Sequence, residues 1–561
     1  MHRALPSSRW IRGIRRPTSR IVLPTVLTLA AGLGLTACSS SADSEAKASA
    51  PVQGGTLRFA VHTQPTNLDP HSSPSDVTAL LTRHVVDSLV AIDAEGKIKP
   101  WLATSWTVSP DQRSYTFTLR DGVRFSDGTS FDAAAVKANL DHVVDPKTKS
   151  ALAAGLIPAY ERTEVLDPLT AKVTFSRPHA PFLASLSTPY LGIQSPAALA
   201  RGQEALARNV VGSGPFVMES FEPGKLVTYR RNPDYAWPPQ DAELKGPAYL
   251  DRLEISIIPE DSIRVGALSS GQVDAIGGVP SVSVKQLEAN PNITVQRQQA
   301  SGGNYNYYPN TSAGPFADVR VRQAFRVGID FATIVKSLYF GVYEPATSPI
   351  AAVTVGYDPG TRDLQRHDPQ AAAALLDQAG WTGRDDEGYR TRDGQRLVVR
   401  WMFVRAIARE QRPVLAEQVQ AAARKIGIDV QFLDVTLSTY PGIAARGDYD
   451  LADFSWQRID ADALRDLFHS TNVPTETGSG ANAARYQDKQ VDAWLDRTLE
   501  TGDPAERAEL YASIQRKVLE DAAVFPVYSP SYVFATSKRA NGISWEQPAY
   551  PAFYGAWTTG E

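Results

Sequence analysis

The folded part of the chain begins with the stretch Gly54-Gly55-Thr56-Leu57-Arg58-Phe59-Ala60-Val61. Large apolar side chains at positions 57, 59 and 61 alternate with smaller or polar ones at Thr56, Arg58 and Ala60. A period of two residues is typical of a β-strand, since successive side chains of a strand point to opposite faces of its sheet. The stretch therefore predicts a strand at the start of the fold.

Helical and strand patterns alternate along the rest of the chain. Apolar periodicity predicts helices over residues 78–92, 131–143, 369–379 and 504–521, and strands over residues 216–218, 255–258, 397–404 and 451–455. Such an alternation is typical of an α/β fold. With 561 residues the chain is much longer than one ordinary domain of about 100–200 residues, so two or three lobes are expected.

The N-terminal region has the composition of a secretory signal. Six arginines and no acidic residue precede an apolar stretch over residues 21–35. The stretch is shorter than the ~20 residues that a membrane span needs, and Pro24 interrupts it. The pair Arg15-Arg16 is also found in twin-arginine signals, so the sequence does not decide between twin-arginine export and the general secretory route. The sequence predicts a signal over residues 1–37.

The only cysteine of the chain lies directly after this stretch. It ends the run Leu35-Thr36-Ala37-Cys38, which resembles a bacterial lipobox. In such signals the peptidase cuts before the cysteine, whose sulfur and amine are then acylated, and two chains or more give stable anchoring. We therefore predict a lipid anchor at Cys38 and a flexible tether over residues 38–53. A lone cysteine also excludes an internal disulfide.

Composition and charge exclude some classes of protein. Hydrophobic residues make up 43% of the chain and charged residues 21%, as in ordinary globular proteins. The formal charge is −4, and it becomes −10 without the six arginines of the signal. An acidic balance of this kind argues against a nucleic-acid binder, which would show a basic patch.

A series of short motifs resembles one known family. In chain order these are Gly54-Gly55-Thr56-Leu57, Asn67-Leu68-Asp69-Pro70, Pro100-Trp101-Leu102-Ala103-Thr104-Ser105-Trp106, Phe125-Ser126-Asp127-Gly128, Val211-Gly212-Ser213-Gly214-Pro215-Phe216, Arg231-Asn232-Pro233-Asp234-Tyr235, Pro315-Phe316-Ala317-Asp318-Val319-Arg320 and Gly447-Asp448-Tyr449-Asp450. Together they resemble the large solute-binding proteins of ABC importers, the peptide/nickel-binding family 5. Most of these residues set turns or fill the core, so they identify the family without identifying the ligand.

The resemblance implies a periplasmic-binding-protein-like fold with two α/β lobes and an extra inserted domain. Lobe I would comprise residues 54–75, 206–305 and 530–561, and lobe II residues 306–529. The inserted domain would comprise residues 76–205. The lobes would close over a ligand about a hinge near residues 300–310.

The resemblance also implies the function. The protein is expected to be an extracytoplasmic lipoprotein, a monomer that captures an oligopeptide or similar solute and delivers it to the permease and ATPase subunits of an importer. A sugar, opine, siderophore or metal chelate remains an alternative ligand. A non-transport sensor or chaperone and an exported hydrolase are further alternatives. No enzymatic activity, cofactor or nucleic-acid partner is expected.

Three candidate ligand-binding residues follow the predicted strand over residues 451–455. Peptide binders of the family clamp the ligand's amine with an Asp that lies between a Trp and an Asp-Pro-Asp-like run. Here Trp456 is followed by Asp460-Ala461-Asp462, and Gln457 or Arg458 occupies the clamp region. Because this sequence differs from the peptide binders in the clamp region, a peptide with a free amine is less expected and an anionic or sugar-like ligand is more credible. If Arg458 does not contact a ligand, we expect it to be a solvated cation of the loop.

The remaining candidates are placed by the same resemblance. Arg405 follows a predicted strand where dipeptide binders grip the ligand carboxylate; Arg409 competes for that role, and a surface role for Arg405 is the alternative. His62 and Gln64 follow the first strand, whose end faces the cleft in the family. The aromatics of Asn304-Tyr305-Asn306-Tyr307-Tyr308 lie near the hinge, so Tyr305 and Tyr307 either floor the cleft or pack within a lobe.

The sequence contains no motif for a metal site or for common hydrolase chemistry. Its histidines are scattered, and no pair has the spacing of a dedicated metal site. Gly-x-Ser-x-Gly, His-Glu-x-x-His and phosphate-loop patterns are also absent from the sequence. We therefore predict neither a metal nor a catalytic residue.

Overall fold

The computed structural model describes residues 50–560, apart from residues 66, 94, 151, 477 and 479. The predicted signal, Cys38 and the tether as far as residue 49 lie outside the described residues. Residues 50–53 are exposed and belong to no helix or strand. Within the described part, no helix is both long enough and apolar enough to cross a membrane.

The elements before residue 310 are, in chain order, β1 (Thr56–Val61), α1 (Asp76–Thr82), β2 (Val90–Ile92), β3 (Ile98–Pro100), β4 (Ala103–Val108), β5 (Ser114–Leu119), α2 (Ala133–Val144), β6 (Tyr160–Asp167), β7 (Thr170–Phe175), α3 (Phe182–Leu186), α4 (Pro196–Leu199), α5 (Gln203–Leu206), β8 (Phe216–Glu222), β9 (Leu226–Arg231), β10 (Arg252–Ile257), α6 (Asp261–Ser269), β11 (Ala275–Gly277), α7 (Ser281–Glu288), β12 (Ile293–Gln299) and β13 (Tyr305–Pro309).

The later elements are α8 (Val319–Gly328), α9 (Phe331–Tyr339), β14 (Glu344–Pro345), α10 (Pro369–Gln378), β15 (Gly383–Arg384), β16 (Arg390–Arg392), β17 (Gln395–Arg396), β18 (Val398–Phe403), α11 (Arg412–Lys425), β19 (Asp429–Asp434), α12 (Tyr440–Arg446), β20 (Leu451–Phe454), α13 (Ala463–Phe468), α14 (Lys489–Glu500), α15 (Pro504–Glu520), β21 (Phe525–Ser529), β22 (Ser531–Ser537), β23 (Ala540–Asn541), β24 (Ser544–Glu546), β25 (Tyr550–Ala552) and β26 (Trp557–Thr558).

A seven-stranded sheet contains the strand that opens the fold. Its order is β12-β22-β11-β1-β10-β9-β8, and β1 pairs in parallel with both β10 and β11. The alternation of β1 buries Leu57, Phe59 and Val61 in one apolar cluster, while on the other face Ala60 belongs to a second cluster and Arg58 is exposed. The predicted strand and the α/β class are confirmed.

A six-stranded sheet forms from the second half of the chain, in the order β14-β21-β13-β20-β18-β19. In it β18 pairs in parallel with β19 and β20, while β13 pairs antiparallel with β20 and β21. A third, four-stranded antiparallel sheet, β4-β5-β7-β6, forms between β1 and β8 in the chain, and α2 packs against its strand β6.

Two short segments connect the seven-stranded and six-stranded sheets. Residues 300–304 lead from β12 to β13, and Pro530 leads from β21 to β22. The two crossings are bonded to each other, because Ala300 N donates to Pro530 O at 2.9 Å. One apolar cluster contains residues of both sheets, including Ile276 beside β1 and Phe525 in β21.

The helix predicted over residues 78–92 ends ten residues early. After α1 stops at Thr82, the carbonyl oxygens of His84 and Val85 accept hydrogen bonds from Phe216 N and Gly214 N. These long-range partners replace the bonds that a continued helix would make. The chain then forms β2, which pairs with β3.

Candidate ligand-binding site

A cavity of about 250 Å³ lies between two walls from different parts of the chain. One wall is the segment over residues 455–460, which follows β20, together with Arg409. The other wall surrounds the start of α1. The lining residues are Pro74, Ser75, Asp76, Leu152, Leu156, Ala184, Ser185, Thr188, Pro189, Tyr190, Arg409, Ser455, Trp456, Gln457, Arg458, Ile459, Asp460, Pro548 and Tyr550.

Hydrogen bonds to the main chain fix the path of the segment over residues 455–460. Gly303 N donates to Trp456 O at 2.7 Å, and Ser301 Oγ donates to Arg458 O at 2.8 Å. Between them, Gly302 has φ +92°, and a Cβ on it would stand 2.1 Å from Arg458 N. Only glycine permits this approach, so the crossing between the sheets also shapes the cavity wall.

Asp466 at α13 holds two of the cavity side chains. Trp456 Nε1 donates to its Oδ2 at 2.7 Å, and Arg458 Nη2 lies 2.8 Å from the same oxygen. The Arg458 guanidinium also lies 5.0 Å from the centre of the Trp456 ring, within the range of a cation–π contact. The aromatic and the cation are therefore presented to the cavity as one fixed unit.

An ion pair joins the two walls. Asp76 is the first residue of α1, and its Oδ2 accepts a hydrogen bond from Arg409 Nη1 at 2.9 Å. Burial alone would raise the pKa of Asp76, but the charge of Arg409 holds that pKa below its usual range. Asp76 in turn raises the pKa of Arg409. Both groups stay charged at neutral pH.

A buried network supports the turn that carries Arg409. Glu410 accepts from Arg412 Nη2 at 2.8 Å and from the hydroxyl of Tyr528, while Arg412 lies 4.1 Å from the centre of the Tyr305 ring. Although burial opposes it, the charges of Arg412 and Arg409 lower the pKa of Glu410 to about 2. These contacts anchor the turn to the six-stranded sheet.

The structure brings three of the eight candidate ligand-binding residues to the cavity. Trp456, Arg458 and Asp460 line it, and so does Arg409, the competitor of Arg405. Asp460 lies 3.3 Å from Arg507 Nη2, so the cavity carboxylate is also paired. Their contact with a ligand stays a prediction.

The other candidates lie elsewhere. Arg405 is exposed, stands over the rings of Phe403 and Phe432 and reaches Glu417 at 3.8 Å. His62 packs beside Gly278 outside the cavity lining, and burial lowers its pKa. Gln64 is exposed and does not line the cavity either.

Tyr305 and Tyr307 are completely buried in the six-stranded sheet. The hydroxyl of Tyr305 donates to Asp453, and the Tyr307 ring packs 4.6 Å from the ring of Trp401. Of the two roles that the sequence left open, the structure places both side chains in packing within the sheet.

The sequence did not single out Asp76, Asp466, Tyr190 or Tyr550. Asp76 lies 333 residues from its partner Arg409, and no local pattern connects them. The one sequence feature near it is the run Pro74-Ser75-Asp76, which is typical of a helix start and carries no information about a ligand.

The chemistry of the cavity suits recognition of charged groups. It presents two carboxylates, Asp76 and Asp460, and two guanidiniums, Arg409 and Arg458, each paired with an opposite charge. Groups held in this way are oriented before a ligand binds. Some of their ionic contacts within the protein can then be replaced by contacts with charged groups of the ligand.

Comparison with known proteins gives one consistent result. Residues 97–474 match the family described as bacterial extracellular solute-binding proteins, family 5 Middle. The glutathione-binding protein GsiB of Escherichia coli K12 is 29% identical over 498 residues, which cover 86% of this chain and 90% of GsiB.

Solved structures agree. AgaA from A. tumefaciens R10, in complex with agropinic acid, is 26% identical with a TM-score of 0.73, covering 90% of this chain and 99% of AgaA. DppA from Helicobacter pylori, in complex with the peptide STSA, is 25% identical with a TM-score of 0.73, covering 90% of this chain and 98% of DppA. The family match spans more than half of the sequence and confirms the resemblance read from its motifs. The chain belongs to the bacterial extracellular solute-binding proteins of family 5.

Proposed function

We propose that this protein is the substrate-binding component of an ABC importer and that it captures a short zwitterionic peptide. The charge balance of the cavity carries the proposal. Two carboxylates and two guanidiniums face one space of about 250 Å³. A ligand with an ammonium group and a carboxylate group can pair with both signs, whereas a purely anionic ligand would leave Asp76 and Asp460 facing its charge.

The size of the cavity favours a short ligand. Pockets for small molecules usually enclose about 300–1,000 Å³, so a cavity of about 250 Å³ lies just below that range. Two relatives support this class: GsiB is a glutathione-binding protein, and DppA holds the peptide STSA.

An anionic, opine-like solute is the second candidate. Arg409 and Arg458 both line the cavity, and Asp76 and Asp460 are already neutralised by Arg409 and Arg507. AgaA, which binds agropinic acid, shares the fold at a similar identity. In this case the guanidiniums would meet the carboxylates of the ligand.

The proposal includes movement and partners. We propose lobe I over residues 54–75, 206–305 and 530–561, lobe II over residues 306–529, and the inserted domain over residues 76–205. The lobes close about the two crossings at residues 300–304 and Pro530, and the closed monomer docks on the permease, whose ATPase subunits drive import.

A panel of ligands tests the proposal. Thermal shift and isothermal titration should show binding of dipeptides, tripeptides or glutathione, and blocking the peptide's amine or its carboxylate should weaken binding about tenfold or more. Binding of agropinic acid without any peptide would establish the second candidate instead. Native mass spectrometry of the purified protein would identify a solute that is retained through purification.

Anchoring at Cys38 is a separate part of the proposal, and it rests on the sequence alone. Replacement of Cys38 by serine removes the sulfur that would carry the lipid. We expect Cys38→Ser to shift the protein from the membrane fraction to the soluble fraction. The idea fails if the variant stays with the membrane and the unaltered protein carries no lipid mass.

A further inference from the structure

The fold brings together two histidines and an aspartate that are distant in sequence. Asp69 and His71 lie between β1 and α1, and His142 lies in the last turn of α2. The Nδ1 atoms of the two histidines are 3.0 Å apart, and one ligand atom from each of the three residues lies within 4.8 Å of the others. Asp69 is 1% exposed and His71 is fully buried.

A hydrogen bond on the far side of His71 fixes its tautomer. Its Nε2 lies 3.0 Å from the carbonyl oxygen of Gly192, which can only accept a hydrogen bond. Nε2 therefore carries the hydrogen, and the lone pair of Nδ1 faces His142 and Asp69. Metal-binding histidines are commonly oriented by a hydrogen bond of this type.

The cluster has more acceptors than donors. Asp69 Oδ1 accepts from Gln194 Nε2 at 3.0 Å and from His71 N at 3.1 Å, but Asp69 Oδ2 is buried without a partner among the described residues. Gln194 Oε1 is unpartnered there in the same way. A buried carboxylate oxygen without a partner is costly, and a bound cation would satisfy it.

We propose that Asp69, His71 and His142 bind a zinc ion, with water as the fourth ligand. Two imidazole nitrogens and one carboxylate oxygen are a set that zinc accepts in tetrahedral geometry. With zinc–nitrogen bonds of about 2.0–2.1 Å, the two Nδ1 atoms would stand roughly 3.3 Å apart. The two Nδ1 atoms need to separate by only a few tenths of an ångström and the rings need to tilt so that both lone pairs point at one ion, while His142 moves its hydrogen from Nδ1 to Nε2.

The location indicates a structural role. None of the three residues lines the ligand cavity, so the ion is not presented as cargo. The segment that carries Asp69 and His71 continues to Asp76, which forms the ion pair across the cavity. Zinc would thus brace the start of α1 against α2, independently of which solute the cavity binds.

The test is zinc titration of the purified chain after treatment with EDTA. We expect one zinc ion per chain by calorimetry and mass spectrometry, and a higher melting temperature with zinc. His142→Ala should lower zinc affinity at least a hundredfold, whereas His367→Ala, which removes an exposed histidine outside the cluster, should leave it unchanged. His142 is only half-buried, so the metal-free variant is expected to fold.

Cobalt provides a second readout that does not depend on stability. Tetrahedral Co²⁺ at this site should give visible absorption bands that Asp69→Asn and His142→Ala both abolish. The proposal is overturned if the unaltered chain binds no more zinc than His142→Ala. In that case His71 and His142 form only a hydrogen bond between neutral rings.

Discussion

Each charged side chain at the cavity is paired with an opposite charge. Asp466 holds both Trp456 and Arg458, and Arg507 lies beside Asp460. Because these side chains are already restricted in the protein, they lose less conformational freedom when a ligand binds. Their arrangement therefore matters as much as their charge.

Two arginines named from the sequence should behave differently. Arg458 lines the cavity, whereas Arg405 is exposed beside Glu417. We expect Arg458→Ala to cost about 1.5–3 kcal/mol of ligand binding, the usual range for a hydrogen bond to a charged group, which is tenfold or more in affinity. Arg405→Ala should leave affinity unchanged. Calorimetry measures both, with melting temperature as the control for folding.

Trp456 is expected to behave like Arg458. Trp456→Ala removes the ring that covers Arg458 and faces the cavity, so affinity should fall while the fold survives. Unchanged affinity in both variants would show that the solute binds elsewhere. Trp456 would then be a packing residue of the cluster around α13.

At the scale of elements, the crossing over residues 300–304 is the most constrained piece near the site. Gly302→Ala meets two obstacles, a positive φ and a contact of 2.1 Å with Arg458 N. Gly271 provides the matched control, because its φ is +76° and a Cβ there has open space.

Comparison of the two glycine variants separates the cost of a positive φ from the cost of the steric clash at Gly302. A positive φ costs an alanine roughly 1–2 kcal/mol, so Gly271→Ala should lose about that much stability in denaturant unfolding. Gly302→Ala should lose roughly 1–3 kcal/mol more, because the backbone must also shift. It should weaken ligand binding as well. Equal losses in the two variants would contradict the role given to Gly302.

The sequence predicted elements better than it predicted the site. The alternation of residues 56–61 predicted the strand correctly because Leu57, Phe59 and Val61 share one buried face of β1. The helix over residues 78–92 was correct only as far as Thr82, because His84 and Val85 bond to distant residues. Motif resemblance led to Trp456 but could not separate Arg405 from Arg409.

Whether Arg405 or Arg409 lines the cavity depends on the turn after Arg409, and no sequence pattern predicts the conformation of this turn. Glu410 and Gln411 both have positive φ, near +55°, although neither is glycine. The turn is held by the contacts of Glu410 with Arg412 and Tyr528, which come from α11 and β21. Only the assembled sheet determines which arginine faces the cavity.

At the scale of the whole molecule, the ion pair across the cavity should respond to pH in one direction. The pKa of Asp76 is lowered in the folded protein, so the pair stabilises the fold above the unfolded pKa of about 3.9. This contribution is lost as pH falls through the lower folded pKa. Both side chains are about one third exposed, so the contribution is about 1 kcal/mol or less.

Comparison with Asp76→Asn measures this contribution. The difference in unfolding free energy should be constant from pH 8 to pH 6.5 and should decrease below about pH 4. A difference that grows as the pH drops below 4 would contradict the assignment. Calorimetry of the two proteins at matched ionic strength provides the measurement.

Closure should be visible in solution. Among the described residues the chain passes between the two sheets only at residues 300–304 and at Pro530, and we expect ligand binding to bring the walls of the cavity together about these crossings. Small-angle scattering should show a smaller radius of gyration with saturating solute than without it. An unchanged profile would indicate a rigid scaffold with a permanently formed cavity.

The way in which residues 455–460 are held has an evolutionary consequence. Bonds from Gly303 and Ser301 meet the carbonyl oxygens of Trp456 and Arg458, so these two main-chain contacts form whatever side chains stand at the two positions. Substitutions there can change the side chains that face the cavity while the main-chain bonds are kept, so selection can adapt the protein to a new nutrient by single substitutions. The same property makes this segment the place to randomise when building a biosensor from the chain.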